Sequence, residues 1–182
     1  MFCSSEITSY PIPISLLYGN WIELSGSGLT AKVAKSLSEI VNLDLTDILN
    51  EPFGGGSYAL MVRLSDGSRI RLGDLSEGIQ LLIIFSLLVE YMNPDLILWD
   101  DIEARMNPRS LVYIANQLVD LVDNGKQVVV TTHSIEAARL LSGIVENARI
   151  VKLELTGGYL KTTPLSYGEL EKFIDLGIDV RI

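Results

Sequence analysis

Apolar residues recur at Leu29, Val33, Leu37, Ile40 and Val41, a spacing of three and four that predicts an amphipathic helix over residues 29–42. Two β-rich runs, 58–64 and 69–72, flank Ser65-Asp66-Gly67-Ser68, whose Asp-Gly pair suits the tight turn of a hairpin. Beyond Leu75-Ser76-Glu77-Gly78 the pattern alternates: a helix to 92, a strand at 96–99, a helix at 108–124, a strand at 128–131 and a helix at 135–142. Asn107 is placed to cap the second of these helices, with Pro108 at its first position and Gly125 just past its end. The runs Leu96-Ile97-Leu98-Trp99 and Val128-Val129-Val130 are apolar on both faces, as central parallel strands covered by helices on two sides would be. Residues 149–155 and 159–162 around Gly157-Gly158 predict a second hairpin. Ser166-Tyr167-Gly168-Glu169 then reads as a capping box opening a last helix to 176. The fold class expected is α/β: a partial doubly wound parallel sheet with flanking helices and antiparallel hairpins, in a single domain over 1–182. Residues 1–56 form a helical and loop lead-in, with loops at 4–13 and at Gly54-Gly55-Gly56, and 57–182 carry the alternating pattern.

Composition narrows the functions such a domain can have. With 182 residues, 48% of them hydrophobic, the chain can bury one sizeable core. The formal charge of -9 leaves no general basic surface to neutralise phosphates, so any nucleic acid is expected to be held only by a complete assembly. One cysteine excludes an internal disulfide framework, and the first residues lack the basic start and apolar run of a signal peptide; a cytoplasmic protein is expected. The most apolar stretch, 79–89, is too short to span a bilayer and reads as a buried helix, so no membrane span is expected.

Three segments carry candidate chemistry. Leu75-Ser76-Glu77-Gly78-Ile79-Gln80 opens a helix, where unsatisfied amides and the aligned peptide dipoles favour an anion, Ser76 offers a hydroxyl and Gly78 permits close approach to the backbone. The plain alternative is an ordinary serine cap. Asp100 and Asp101 end a buried strand, the place where α/β sheets put their chemistry: Asp100 to hold Mg²⁺, Asp101 to polarise an attacking water. Asp100, Asp101 and Glu103 have no Cys or His beside them in sequence, which suits Mg²⁺ better than zinc, although paired acids in a loop are often only solvated. The only histidine, His133, ends the other apolar strand, where an imidazole can hydrogen-bond a γ-phosphate or the attacking water. A lone histidine also serves structural ends.

The order and spacing of Ser76, Asp100 and His133, each on the right kind of element, resemble the ABC/SMC-like ATPases, specifically the RecF-like and OLD-like AAA-domain ATPases of archaea and bacteria. The resemblance covers roughly 58–182, including the ending Asp175-Leu176-Gly177-Ile178-Asp179-Val180-Arg181. It implies a P-loop NTPase-like sheet with ATP and Mg²⁺ as cofactors, and a signature motif in which Ser76, Glu77, Gly78 and Gln80 meet nucleotide. It also implies a Walker B strand with Asp100 on the metal and Asp101 catalytic, a catalytic switch histidine at His133, and a D-loop containing Glu103 and Asn107. Two positions depart from the family: Asp101 stands where glutamate is usual, which predicts slow turnover, and Glu77 adds negative charge near the expected phosphate.

A phosphate-binding loop needs Gly, four residues, then Gly-Lys-Ser/Thr between a strand and a helix. No segment fulfils it. The nearest, Gly26-Ser27-Gly28-Leu29-Thr30-Ala31-Lys32-Val33 after Trp21-Ile22-Glu23-Leu24, has Ala31 for the second glycine and Val33 for the hydroxyl residue, and Lys32 reads as a surface residue. The chain is therefore expected to be the C-terminal half of an ATPase domain that takes its P-loop from a segment in cis or from a partner, with a second ATPase head and a homo- or hetero-oligomer as the working form. The alternatives are a degenerate half acting as a protein-interaction scaffold and, weaker for want of a basic groove, a nuclease using Asp100, Asp101 and Glu103. The half-domain expectation predicts an open sheet edge and places Ser76, Asp100, Asp101 and His133 at one rim.

Overall fold

The computed structural model describes residues 2–3, 11–146 and 148–177. A two-residue strand β1 (Phe2–Cys3) is followed by helix α1 (Pro11–Gly19), where loop was expected; its two prolines fall in the first turn, whose amides have no partner inside the helix in any case. Residues 4–10 of that expected loop lie outside the described residues. Helix α2 (Trp21–Gly26) then gives way at Gly28, held at φ 75°, to α3 (Leu29–Val41). Asn42 closes α3 in the left-handed conformation that asparagine tolerates. The buried face of α3 carries Val33, Ala34 and Leu37, four residues apart at most, as its periodicity predicts.

The lead-in is not helix and loop throughout. Strand β2 (Leu45–Pro52) pairs antiparallel with β3 (Tyr58–Leu64), which pairs with β4 (Arg69–Arg71). A register shift between Leu45 and Asp47 breaks the alternation that would have marked β2, and its acids have partners: Asp47 meets Arg63 at 2.9 Å and Glu51 meets Arg69 at 2.8 Å. A 3-10 turn, Leu72–Asp74, delivers the chain to helix α4 (Glu77–Met92), in which Leu81 to Leu88 are all buried. A helix apolar on every side becomes the centre of the core, with α3 and α5 (Pro108–Asp123) against it.

Strands β5 (Leu96–Trp99) and β6 (Gln127–Val130) are parallel and in register, and the sheet order is β1-β5-β6. Ile97 and Trp99 are buried, and Trp99 packs on Phe85 of α4 with ring centroids 4.4 Å apart. β6 departs from the central, doubly covered strand expected for it. It is the outer strand, with no second neighbour among the described residues, and Val129 is 47% exposed. An apolar run reads the same whether its second edge is paired or open. Helix α6 (Ile135–Ile144), the ribbon of β7 (Ile150–Thr156) and β8 (Tyr159–Leu165), and α7 (Tyr167–Asp175) complete the described chain. The expected capping box at Ser166 and Glu169 is present, while Ile178 to Arg181 lie outside the described residues. Among the described residues no helix is long and apolar enough to cross a membrane.

Asn107 caps α5 as its sequence predicts, its side-chain oxygen accepting from Ser110 N at 2.9 Å. Asn107→Ala is expected to cost about 1 kcal/mol in urea denaturation.

Candidate functional site

Because Trp99 and Val130 are register partners, the segments that follow β5 and β6 emerge side by side. Two bonds prolong the pairing past the strand ends, Thr131 N to Trp99 O at 2.8 Å and Ile102 N to Thr131 O at 3.1 Å. The Thr131 hydroxyl donates to Asp100 Oδ1 and accepts from Asp101 N at 3.0 Å, so one threonine sets both aspartates. Asp101 sits at φ 50°, a left-handed backbone that aspartate tolerates better than most residues. Its Oδ1 lies 3.7 Å from His133 Nε2. Asp100, Asp101 and His133, three of the four residues expected at one rim, thus share it.

Glu103 is bonded to the loop after β6. Its Oε2 accepts from the Thr132 hydroxyl at 2.6 Å and its Oε1 from His133 N at 2.8 Å. The three carboxylates do not converge, and the described residues contain no group of three or more His, Cys, Asp or Glu placed to hold a metal, which tells against the nuclease alternative that would use all three. Partial burial pushes the Glu103 carboxyl up, but donation from Thr132, from its own amide and from His133 N, with the nearby imidazole, outweighs it and holds the group below the ordinary glutamate value. A depressed carboxyl contributes stability above its unfolded value and loses it as pH falls through the lower folded value. Denaturation measured between about pH 3 and 5 should therefore show a shallower acid dependence for Glu103→Gln than for the parent chain.

At the start of α4, Ser76 is exposed and occupies the cap position, yet its side chain makes no capping bond, unlike Asn107, Ser134 and Ser166. The ordinary-cap alternative for Ser76 is thus not what its hydroxyl does. Gly78 permits a close approach, but of the chain itself: a Cβ there would stand 2.8 Å from Arg105 O in the loop after β5. Glu77 pairs with Arg105 at 3.5 Å, so its charge is partly offset. The Gln80 side-chain amide donates to Leu75 O at 2.8 Å, bracing the loop before α4. Gly78→Ala is expected to destabilise by about 1–2 kcal/mol, because overpacking against a backbone carbonyl outweighs the better helix propensity of alanine. A lower thermal midpoint checks this.

The segment from Gly26 to Val33 is the end of α2, a two-residue turn and the start of α3, with α2 where a phosphate-binding loop would need a strand. Lys32 Nζ is held by Glu90 at 2.6 Å on the surface, in keeping with its surface reading. Thr131, Thr132 and Arg105 were not singled out from sequence; the only signal was their place beside the acids and the histidine.

A family model described as "AAA domain, putative AbiEii toxin, Type IV TA system" matches residues 22–138, beginning earlier than the likeness seen in sequence and ending before β7. No curated protein matches the chain. Among solved structures, an SMC ATPase characterised for ATP-driven dimerisation and DNA-stimulated activation aligns at 16% identity and TM-score 0.57, over 79% of this chain and 89% of that one. The Smc head domain with coiled coil and joint from Pyrococcus yayanosii aligns at 15% identity and TM-score 0.58, over 81% of this chain but 29% of its own length. An Smc head bound to the C-winged helix domain of ScpA aligns at 13% identity and TM-score 0.54, over 80% and 44% of the two chains. At these identities the likeness is one of fold, that of the SMC head.

Proposed function

This chain belongs to the AAA-domain family whose match runs through residues 22–138, within the ABC/SMC-like P-loop ATPases, and from that premise we propose that it is the C-terminal half of an ATP-hydrolysing domain. In this proposal the nucleotide lies between the chain's own strand-end rim and a P-loop supplied by another segment, in cis or in trans. The observation that carries it is the meeting of Asp100, Asp101 and His133 at the ends of β5 and β6, with the outer edge of β6 unpaired among the described residues. A strand added parallel to β6 along that edge would bring its own C-terminal loop beside His133. An open edge with an exposed valine is a place that proteins normally cover.

The roles follow from position. Ser76, with the free amides that begin α4, is the donor set for the phosphates of a nucleotide held by a facing head, the signature role. Asp100 fits the Walker B role: Mg²⁺ is held by one or two carboxylates together with waters and phosphate oxygens, so a single carboxylate suffices when the other ligands come with the nucleotide and the P-loop. Bound Mg²⁺ would neutralise charge on the phosphates. Asp101 accepts the proton of the attacking water, and His133, 3.7 Å away, orients that water or the terminal phosphate. The shorter arm of aspartate predicts slow turnover.

ATP-dependent association of two heads is the partner relation this arrangement implies, with nucleic acid engaged only through the complete assembly. The test is light scattering of the chain mixed with the P-loop-bearing segment: Mg-ATP should produce a complex that Ser76→Arg prevents. Identical particle sizes with and without nucleotide would count against the proposal. A scaffold without hydrolysis is favoured by one observation, the apolar face of the β7–β8 ribbon, where Leu153 is 57% and Leu155 77% exposed. It predicts binding to a partner with no ATP turnover in any assembly.

A further inference from the structure

The loop between β5 and α5 is tied at both ends to other parts of the rim. On one side Glu103 takes the Thr132 hydroxyl at 2.6 Å and His133 N at 2.8 Å, one bond on each carboxylate oxygen. Thr132 Oγ1 in turn accepts from Ser134 N at 2.9 Å, and Ser134 caps α6 through Ala137 N at 3.1 Å. On the other side Arg105 places its carbonyl against Gly78 and its guanidinium 3.5 Å from Glu77. Between them the loop is braced by Ala104 N to Asp101 O at 2.9 Å and Met106 N to Glu103 O at 3.1 Å. Asp101 and Arg105 both hold positive φ, 50° and 63°, a costly backbone that persists where surrounding bonds over-determine it.

We propose that Glu103 is a positioning residue: it fixes the loop after β6 so that His133 faces Asp101, and through the loop of residues 101–106 it links that loop to the start of α4. The proposal rests on the assignment of His133 to the reaction. A carboxylate suits the task because both oxygens only accept, which leaves one arrangement for Thr132 and His133 N. Displacement of the first turn of α4 moves Arg105, and with it the carboxylate that holds His133. Events at Ser76 and at His133 are thereby joined within one chain, through neighbouring backbone rather than through a bound ligand.

The exchange rate of the His133 amide, read by nitrogen-edited NMR on the full chain, tests this directly; the same chain has only one imidazole, so its ring resonances need no assignment. Glu103→Ala should speed exchange at His133 N about tenfold or more and shift the ring resonances, since a bond to a charged acceptor is lost. Glu103→Gln keeps a carbonyl acceptor for His133 N and can donate to Thr132, so exchange should stay within about threefold of the parent. Thr132→Val removes one of the two bonds and should give a smaller increase than Glu103→Ala. Unchanged exchange in Glu103→Ala, or equal acceleration in the Ala and Gln variants, would overturn the proposal. In a hydrolysing assembly Glu103→Ala should lower kcat about tenfold with KM for ATP unchanged, and Gln should restore it. If no assembly hydrolyses ATP, the function proposed above fails while the exchange result still decides the role of Glu103.

Discussion

Asp101→Asn should lower ATP hydrolysis by the complete assembly about 10²–10³-fold while leaving nucleotide-driven association intact. Asparagine has the shape of aspartate and tolerates the same left-handed backbone, so the φ of 50° at this position is no obstacle and the loop keeps its bond to Thr131. What disappears is the carboxylate that can accept a proton beside His133. Asp101→Ala would add backbone strain and blur the comparison. Lys32→Ala is the matched control. Its exposed ion pair with Glu90 is worth at most about 1 kcal/mol, and hydrolysis should be unchanged. Equal losses in the Asp101 and Lys32 variants would point to a site other than the strand-end rim.

Trp99→Ala should be the most destabilising single change among those considered, by about 3–5 kcal/mol. Trp99 is 1% exposed, packs against Phe85 with ring centroids 4.4 Å apart and planes tilted by 49°, and ends the strand that leads into Asp100, so its loss leaves a cavity directly beneath the rim. Trp99→Phe should cost much less, because the indole Nε1 is buried with no hydrogen-bond partner among the described residues and phenylalanine removes that unmet donor. Urea denaturation of both variants measures the difference. Equal costs would contradict the packing account, since a hydrogen bond of the indole alone would add only about 1 kcal/mol to the cost of Trp99→Phe.

These contrasts also mark what could be read from sequence. The ends of β5 and β6 were legible because apolar runs stop at charged or hydroxyl residues, and α5 and α7 because Asn107 and Ser166 are local caps whose partners lie three residues away. The rim followed, since adjacent parallel strands must place Asp100 and His133 close together. Strand β2 was hidden by its register shift and by acids that find arginines only across strands, a relation that periodicity cannot express. An open sheet edge is expected from the lack of a phosphate-binding loop, but its place on β6 is not legible in the residues, because three valines look alike beside one neighbour or two. The grip of Glu103 on His133 N and the contact of Arg105 O with Gly78 depend on two left-handed residues in one loop, and neither Asp101 nor Arg105 advertises that conformation in its side chain. Hence the sequence suggests ligand approach at Gly78, where a Cβ would meet the chain's own carbonyl at Arg105.

The most direct test of the proposed division of the site is ATP binding and turnover by this chain alone, with Lys32→Ala beside it. Most phosphate affinity in P-loop enzymes comes from the loop amides and lysine. The chain alone should therefore bind ATP weakly or not at all and hydrolyse none above background, and both properties should appear when a P-loop-bearing segment is supplied. Turnover by the isolated chain that is abolished by Lys32→Ala would contradict this, and would make the Gly26–Val33 segment a working phosphate site.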